Sequence, residues 1–385
     1  MNRLLLPLAA CAALLCACKP DLLPVPEIPV TGPNYGFYLK STIDSVMQAE
    51  QVPGMAIGVV QKGRIDWTQG YGRANLQTGA AVDANTRFML NQTADPVVAA
   101  AVLQALQETG KSLDDPISSF LPFPVRHARY PQAVITLRML LSHTSGIADD
   151  AALLAAQYTP GDPTVRVRDF LQSYLTPGRP LYAPGHYTTS RPGKTYRYAR
   201  VNLALAGYCV EALTGVEFDL YCKTRLFIQL GYAGVSWYLY DLPASRLAAG
   251  YVYAGGVQTP VPAQNYPFYP SGALRIHIEN LSRFTLAMLQ QGIYGDVAVL
   301  SPAQTQDLLT VQYPVIDGSQ ALGFQADTLA GLPVYGMLGG ELGFSSCLYL
   351  EPGRSRGVAI LCNGACSADA LRLLAARCLR TTERF

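Results

Sequence analysis

Residues 86–106 read Thr86-Arg87-Phe88-Met89-Leu90-Asn91-Gln92-Thr93-Ala94-Asp95-Pro96-Val97-Val98-Ala99-Ala100-Ala101-Val102-Leu103-Gln104-Ala105-Leu106, and the second half is apolar nearly all round. A helix with no polar face is a buried one, so 97–106 predicts a central helix, closed by Gly110 as its C-terminal cap. Asp95-Pro96 has the form of a helix start, with Asp as N-cap and Pro at the first helical position. Proline also disfavours helical geometry in the residue before it. Upstream, 55–61 and 64–71 read as strands joined at Lys62-Gly63. A helix over 37–50 precedes them, with Leu39, Ile43, Val46 and Met47 at helical spacing. Downstream, 111–265 reads as helices and long loops rich in Pro, Gly and Tyr. The chain returns to strands at 344–350 and 357–363 around Pro352-Gly353, then closes with a helix over 367–380. Helix and hairpin at the start, with strands and helix at the end, imply one antiparallel sheet built by both termini and interrupted by a helical insertion. The expected fold class is therefore α/β of the α+β kind.

Composition supports that reading. Of 385 residues, 50% are hydrophobic and 15% charged, with a mean hydropathy of +0.16. Such a chain buries a large core and is not a disordered tail. Lys+Arg 29 against Asp+Glu 27 leaves +2, with no basic stripe, so nucleic acid is not an expected partner. The histidines His127, His143, His186 and His277 show no metal-ligand spacing, and Gly70-Tyr71-Gly72 lacks the rest of a dinucleotide fingerprint. No metal and no cofactor is expected.

Residues 1–17 read as a signal peptide: Arg3, then the apolar run 4–17. Leu15-Cys16-Ala17-Cys18 resembles a bacterial lipobox, which makes Cys18 the lipidated first residue of the mature chain and a membrane its anchor. Residues 18–35, with Pro20, Pro24, Pro26, Pro29 and Pro33, form a semi-rigid tether. The expected location is the bacterial cell envelope, at the outer membrane or periplasmic face. Beyond the N-terminus no run of 18 apolar residues occurs. Six further cysteines remain: Cys209, Cys222, Cys347, Cys362, Cys366 and Cys378. Strands meeting at Pro352-Gly353 set Cys347 about opposite Cys362, although small buried thiols are the favoured reading.

Many separate motifs, in order, resemble serine β-lactamase-related and penicillin-binding-protein-like hydrolases of the class C type. They include Val52-Pro53-Gly54-Met55-Ala56-Ile57, Thr86-Arg87-Phe88 and Leu113-Asp114-Asp115-Pro116. Ser142-His143-Thr144-Ser145-Gly146, Pro192-Gly193 ahead of Tyr198, and Gly343-Phe344-Ser345-Ser346 continue the series. The similarity runs from about 36 to about 380. It implies a sheet domain of 36–110 and 266–385 and a helical insertion domain of 111–265.

That family transfers acyl groups with Ser-x-x-Lys, Tyr-x-Asn and His-x-Gly motifs and an oxyanion hole of backbone N–H groups. Register from Thr86-Arg87-Phe88 places Ser-x-x-Lys on Gln92-Thr93-Ala94-Asp95. Tyr-x-Asn becomes Tyr198-Ala199-Arg200, and His-x-Gly becomes Met337-Leu338-Gly339. A glutamine amide is no usable nucleophile, and by analogy its presence costs on the order of 10⁶ in turnover. Thr93 points about 100° away from its neighbour on a helix. Ser142 and His143 belong to a turn. No catalytic residue is therefore assigned.

Asp95 and Arg200 replace lysine and asparagine, so a salt bridge across the old site is expected, worth about 3–5 kcal/mol if buried. Capping of the helix by Asp95 is the competing reading. The N–H groups of Gln92 and Gly340 survive as an anion or carbonyl site. Gln92, Asp95, Tyr198, Arg200, Gly339 and Gly340 form the candidate ligand site, with Met337 making one wall apolar. Tyrosines 182, 187, 196, 238, 240, 266 and 269 lie on loops that rim the family's cleft, where ordinary loop packing outweighs ligand stacking. Three functions stay open: an inactive envelope lipoprotein binding cell-wall peptide or glycan, a hydrolase rewired around Asp95 and Tyr198, and a structural protein with a closed pocket.

Overall fold

The computed structural model describes residues 35–385. The signal segment, Cys18 and all but the last residue of the tether lie outside the described residues. Helix α1 (Tyr35–Ala49) leads into the hairpin β1 (Gly54–Gln61) and β2 (Arg64–Gly72). A short strand β3 (Phe88–Met89) precedes α2 (Asp95–Thr109). Among the helices that follow is α3 (Arg200–Thr214). Strand β4 (Arg275–Ile276) pairs back with β3 and leads into α4 (Ile278–Leu289). The chain ends with β5 (Gln325–Leu329), β6 (Leu332–Glu341), β7 (Phe344–Glu351), β8 (Arg356–Cys362) and α5 (Ala368–Thr381).

The six long strands form one sheet in the order β5-β6-β7-β8-β1-β2, antiparallel throughout. First and last segments are thus hydrogen-bonded neighbours at β1 and β8, as both-termini pairing requires. The period-2 alternation splits the buried residues between two faces. Met55, Ile57, Val59, Val358 and Ile360 join the layer under α1 and α5. Ala56, Val60, Ala359 and Leu361 join the opposite layer, with α2 and α4. Every residue of α2 from Asp95 to Leu106 is buried, and Gly110 closes the helix at φ 64°.

The β7–β8 register differs from the sequence expectation. Cys347 faces Ile360, and Cys362 faces Ser345. The connection uses four residues, 352–355, with Ser355 in the left-handed region at φ 49°, and closes on Glu351 and Arg356. Centring the turn one residue further along would have put the two cysteines opposite. All six body cysteines are unpaired and buried. Cys347, Cys362, Cys366 and Cys378 cluster in the layer under α5. Burial pushes the Cys378 thiol up to about 12 and raises Cys347. Cys362 is raised first by its contact with Cys366 and then by burial.

Gly58 marks where α4 touches the sheet. A Cβ there would fall 2.1 Å from Ser282 Oγ and 3.2 Å from Ile278 Cγ1. Gly58→Val is expected to cost about 1–3 kcal/mol through overpacking, read as a lower denaturant midpoint at an unchanged slope.

Candidate functional site

The segment ahead of α2 is a 3₁₀ turn, Asn91–Ala94, entered through Asn91 at φ 52°. Asn91 Nδ2 donates to the carbonyls of Glu341 (3.1 Å) and Phe344 (3.4 Å), which ties the turn to the β6–β7 hairpin. Gly339 lies directly against it: a Cβ there would be 2.5 Å from Leu90 O and 3.0 Å from Gln92 N. No other residue fits between strand and turn without displacing backbone.

That proximity brings Gln92 to the next residue of the strand. The Gly340 N–H donates to Gln92 Oε1 at 3.0 Å. The donor that remained available in principle for an anion is therefore taken by the protein's own amide. Thr93 turns into the core, where its Oγ1 accepts from Ser346 Oγ at 2.8 Å. Met337 is buried along the same strand.

Asp95 does not cap α2. It has helical angles (φ −55°, ψ −42°), and the cap residue is Ala94. The preceding 3₁₀ turn already points along the helix, which overrides the bias that Pro96 imposes on its neighbour. Nor does Asp95 pair with Arg200. Its carboxyl is fully buried; Oδ2 accepts from the Tyr198 hydroxyl at 3.0 Å and Oδ1 has no partner among the described residues. Burial raises the Asp95 pKa well above the ordinary carboxylate range, with the Tyr198 bond pulling weakly the other way. Burial and the neighbouring Asp95 also hold the Tyr198 phenol protonated.

Arg200 instead reaches the end of β6. Its Nη1 donates to Glu341 Oε2 at 2.6 Å and to the Tyr158 hydroxyl, while that hydroxyl donates to Glu341 Oε1 at 2.5 Å. The guanidinium lies 5.1 Å from the Phe268 ring centroid. Asp149 accepts from the backbone N–H of Arg200 (2.7 Å) and Val201 (3.1 Å), capping the start of α3 from a distant loop. The charge partner expected of Arg200 exists, but it is Glu341. Its signal in the sequence was a carboxylate two residues past Gly339, at the end of the strand that carries the third motif. Tyr158 and Asp149 had no comparable signal.

Ser142 and His143 make no pair. The Ser142 hydroxyl donates to Arg138 O at 2.6 Å, and His143 Nδ1 accepts from the Ala199 N–H at 3.3 Å. Burial pushes His143 down to about 3, and its ring packs 4.3 Å from that of Tyr198. Among the rim tyrosines, Tyr187, Tyr266 and Tyr269 are buried, Tyr196 accepts from Gln325 Nε2 at 3.3 Å, and Tyr238 stacks on Tyr240 at 5.1 Å. Loop packing accounts for Tyr187, Tyr266 and Tyr269, while Tyr240 is 71% exposed.

A both-termini sheet, a turn and buried helix carrying 92 and 95, Tyr198 facing that helix and a glycine-bearing strand as the far wall agree with a family profile described as Beta-lactamase, matched over residues 39–378. The chain belongs to the beta-lactamase family. It is similar to Penicillin-binding protein 4 of Amycolatopsis lactamdurans, 26% identical over 334 residues covering 83% of each chain. It is 22% identical over 249 residues to Protein flp of Staphylococcus aureus (strain COL), with 64% of this chain matched; the match spans about half (47%) of that relative. In fold it resembles the octameric penicillin-binding protein homologue from Pyrococcus abyssi, at TM-score 0.76 and 20% identity, over 91% of this chain and 78% of the other.

An acid whose pKa is raised on folding binds its proton more tightly in the native state. Stability is then lost as pH climbs above the unfolded-state value near 3.8 toward the folded one. Asp95→Asn keeps the shape and removes the titration. The variant is expected to gain on the native protein as pH rises above the unfolded-state value near 3.8 toward the raised folded one, measured as the difference between their urea unfolding curves.

Proposed function

We propose that this chain is a non-acylating member of the beta-lactamase family, held at the cell envelope by lipid on Cys18, which binds a cell-wall peptide or glycan in the remodelled cleft instead of turning it over. The observation that carries this reading is the Gln92–Gly340 hydrogen bond. An acyl-transfer site needs an attacking oxygen and a free pair of donors for the oxyanion. Here the attacking position holds an amide, and that amide's oxygen fills one of the donors. Asp95, neutral by burial, supplies no amine to draw a proton from a nucleophile. The ligand class comes from the family by analogy. Its physical support is that a peptide carbonyl or carboxylate can replace the Gln92 oxygen on the Gly340 N–H.

One observation favours a second reading. With Arg200 engaged by Glu341, nothing cationic lowers the Asp95 pKa, so Asp95 and Tyr198 together form a protonated pair suited to a general acid. That reading requires turnover of ester or amide substrates that Asp95→Ala abolishes.

The test combines labelling and calorimetry on the lipid-free protein. Incubation with a fluorescent penicillin or a fluorophosphonate is expected to leave the intact mass unchanged. A soluble disaccharide-peptide from peptidoglycan is expected to bind saturably, and more tightly to Gln92→Ala, in which Gly340 is released. A covalent adduct on the native protein overturns the non-acylating assignment. Absence of binding by both native protein and variant overturns the ligand.

A further inference from the structure

Away from that cleft, the β3–β4 ribbon presents a second polar site. Met89 pairs with Arg275 across the ribbon, and residues two apart on a strand share a face. Arg87, Met89 and Arg275 therefore look the same way, into a cavity of about 190 Å³ that Leu247, Gln264 and Phe344 help to line. A single water needs on the order of 10–15 Å³ of such space, so an organic ion has room.

The two arginines are tied to backbone carbonyls; Asp162 and Asp83 act on Arg275 and Arg87 only through space, without an ion-pair contact among the described residues. Arg275 is 5% exposed, and its guanidinium donates only to carbonyls: Nη1 to Ala273 (2.8 Å) and Trp237 (3.2 Å), Nη2 to Gln264 (2.7 Å). Arg87 likewise holds Gly234 O through Nε (2.5 Å) and Asn85 O through Nη1 (2.9 Å). Among the described residues neither has a carboxylate within ion-pair distance. The nearby charges do not supply one. Asp83 is paired with Arg246 at 3.2 Å, and Asp162 accepts from the N–H groups of Leu239 and Tyr240 and from Asn265. His277 stands beside Arg87 and is held neutral by burial. Burial pushes Arg275 down to about 10, and it lowers Arg87 together with Arg246. One buried and one partly exposed guanidinium on one wall, each fixed by neutral acceptors, are an arrangement an anion completes.

We infer that this cavity binds a small organic monoanion, a short-chain or aryl carboxylate, with its charge on Arg87 and Arg275 and its carbon skeleton against Met89, Leu247 and Phe344. Guanidinium and carboxylate match as planar, two-point partners. Met89, Leu247 and Phe344 offer an apolar wall to a carbon skeleton that phosphate does not carry.

Calorimetry with benzoate and butyrate, against benzamide, butyramide and inorganic phosphate, tests the assignment on the folded chain. Saturable binding of at least one carboxylate is expected, with its amide and phosphate at least about tenfold weaker. Arg275→Gln and Arg87→Gln are each expected to weaken carboxylate binding by about tenfold or more. Arg87 is the less buried of the two, so its variant decides the matter if Arg275→Gln does not fold. No carboxylate binding, equal affinity for the amide or phosphate, or undiminished affinity in Arg87→Gln overturns the inference.

Discussion

The close approach of β6 to the turn ahead of α2 governs this molecule. Only a residue without a side chain fits at 339, where backbone meets backbone at Leu90, Gln92 and Thr93. Because the strand cannot back away, Gln92 is within reach of Gly340, Asn91 is fastened to the β6–β7 hairpin, and Asp95 is carried inward on the first turn of a helix buried as far as Leu106. The same contact in an acylating relative would bring nucleophile and oxyanion donor together. In this chain it joins the Gln92 amide to the Gly340 N–H.

The charges are arranged around that contact. The Asp95 carboxyl sits where no cation reaches it, and burial answers by keeping its proton. Arginine at 200 has a long enough arm to leave the helix start and meet Glu341 at the strand end, with Tyr158 bonded to both and Phe268 beneath the guanidinium. Helical segment and sheet are thus joined by an ion pair displaced from the old lysine position. Full burial of both partners would have cost more desolvation than this strand end demands, where the Arg200 and Glu341 side chains stay 12% and 27% exposed.

Much of this was legible from residue pattern. An all-round apolar run announced the central helix, and strands at both ends of the chain announced a sheet joining them. The motif register singled out Gln92, Asp95, Tyr198, Arg200 and Met337, of which Asp95 meets Tyr198 and Gln92 meets Gly340. What escaped was partner choice. The pairing of Asp95 with Arg200 rested on opposite sign and shared neighbourhood, but side-chain direction decides contact, and a 3₁₀ entry to α2 rotated Asp95 toward Tyr198. Capping by Asp95 failed for the same reason: local Asp-Pro preference yielded to a turn already set by strand packing. The β7–β8 register slipped because the number of turn residues, which Pro-Gly alone does not specify, sets which residues face.

The four thiols beneath α5 have a practical meaning. Cys347, Cys362 and Cys378 are fully buried and hold their protons, so an alkylating reagent finds no thiolate on them while α5 stays seated. Their modification in native buffer would therefore time the lifting of the C-terminal helix, giving the protein an intrinsic clock for the opening of its outer layer.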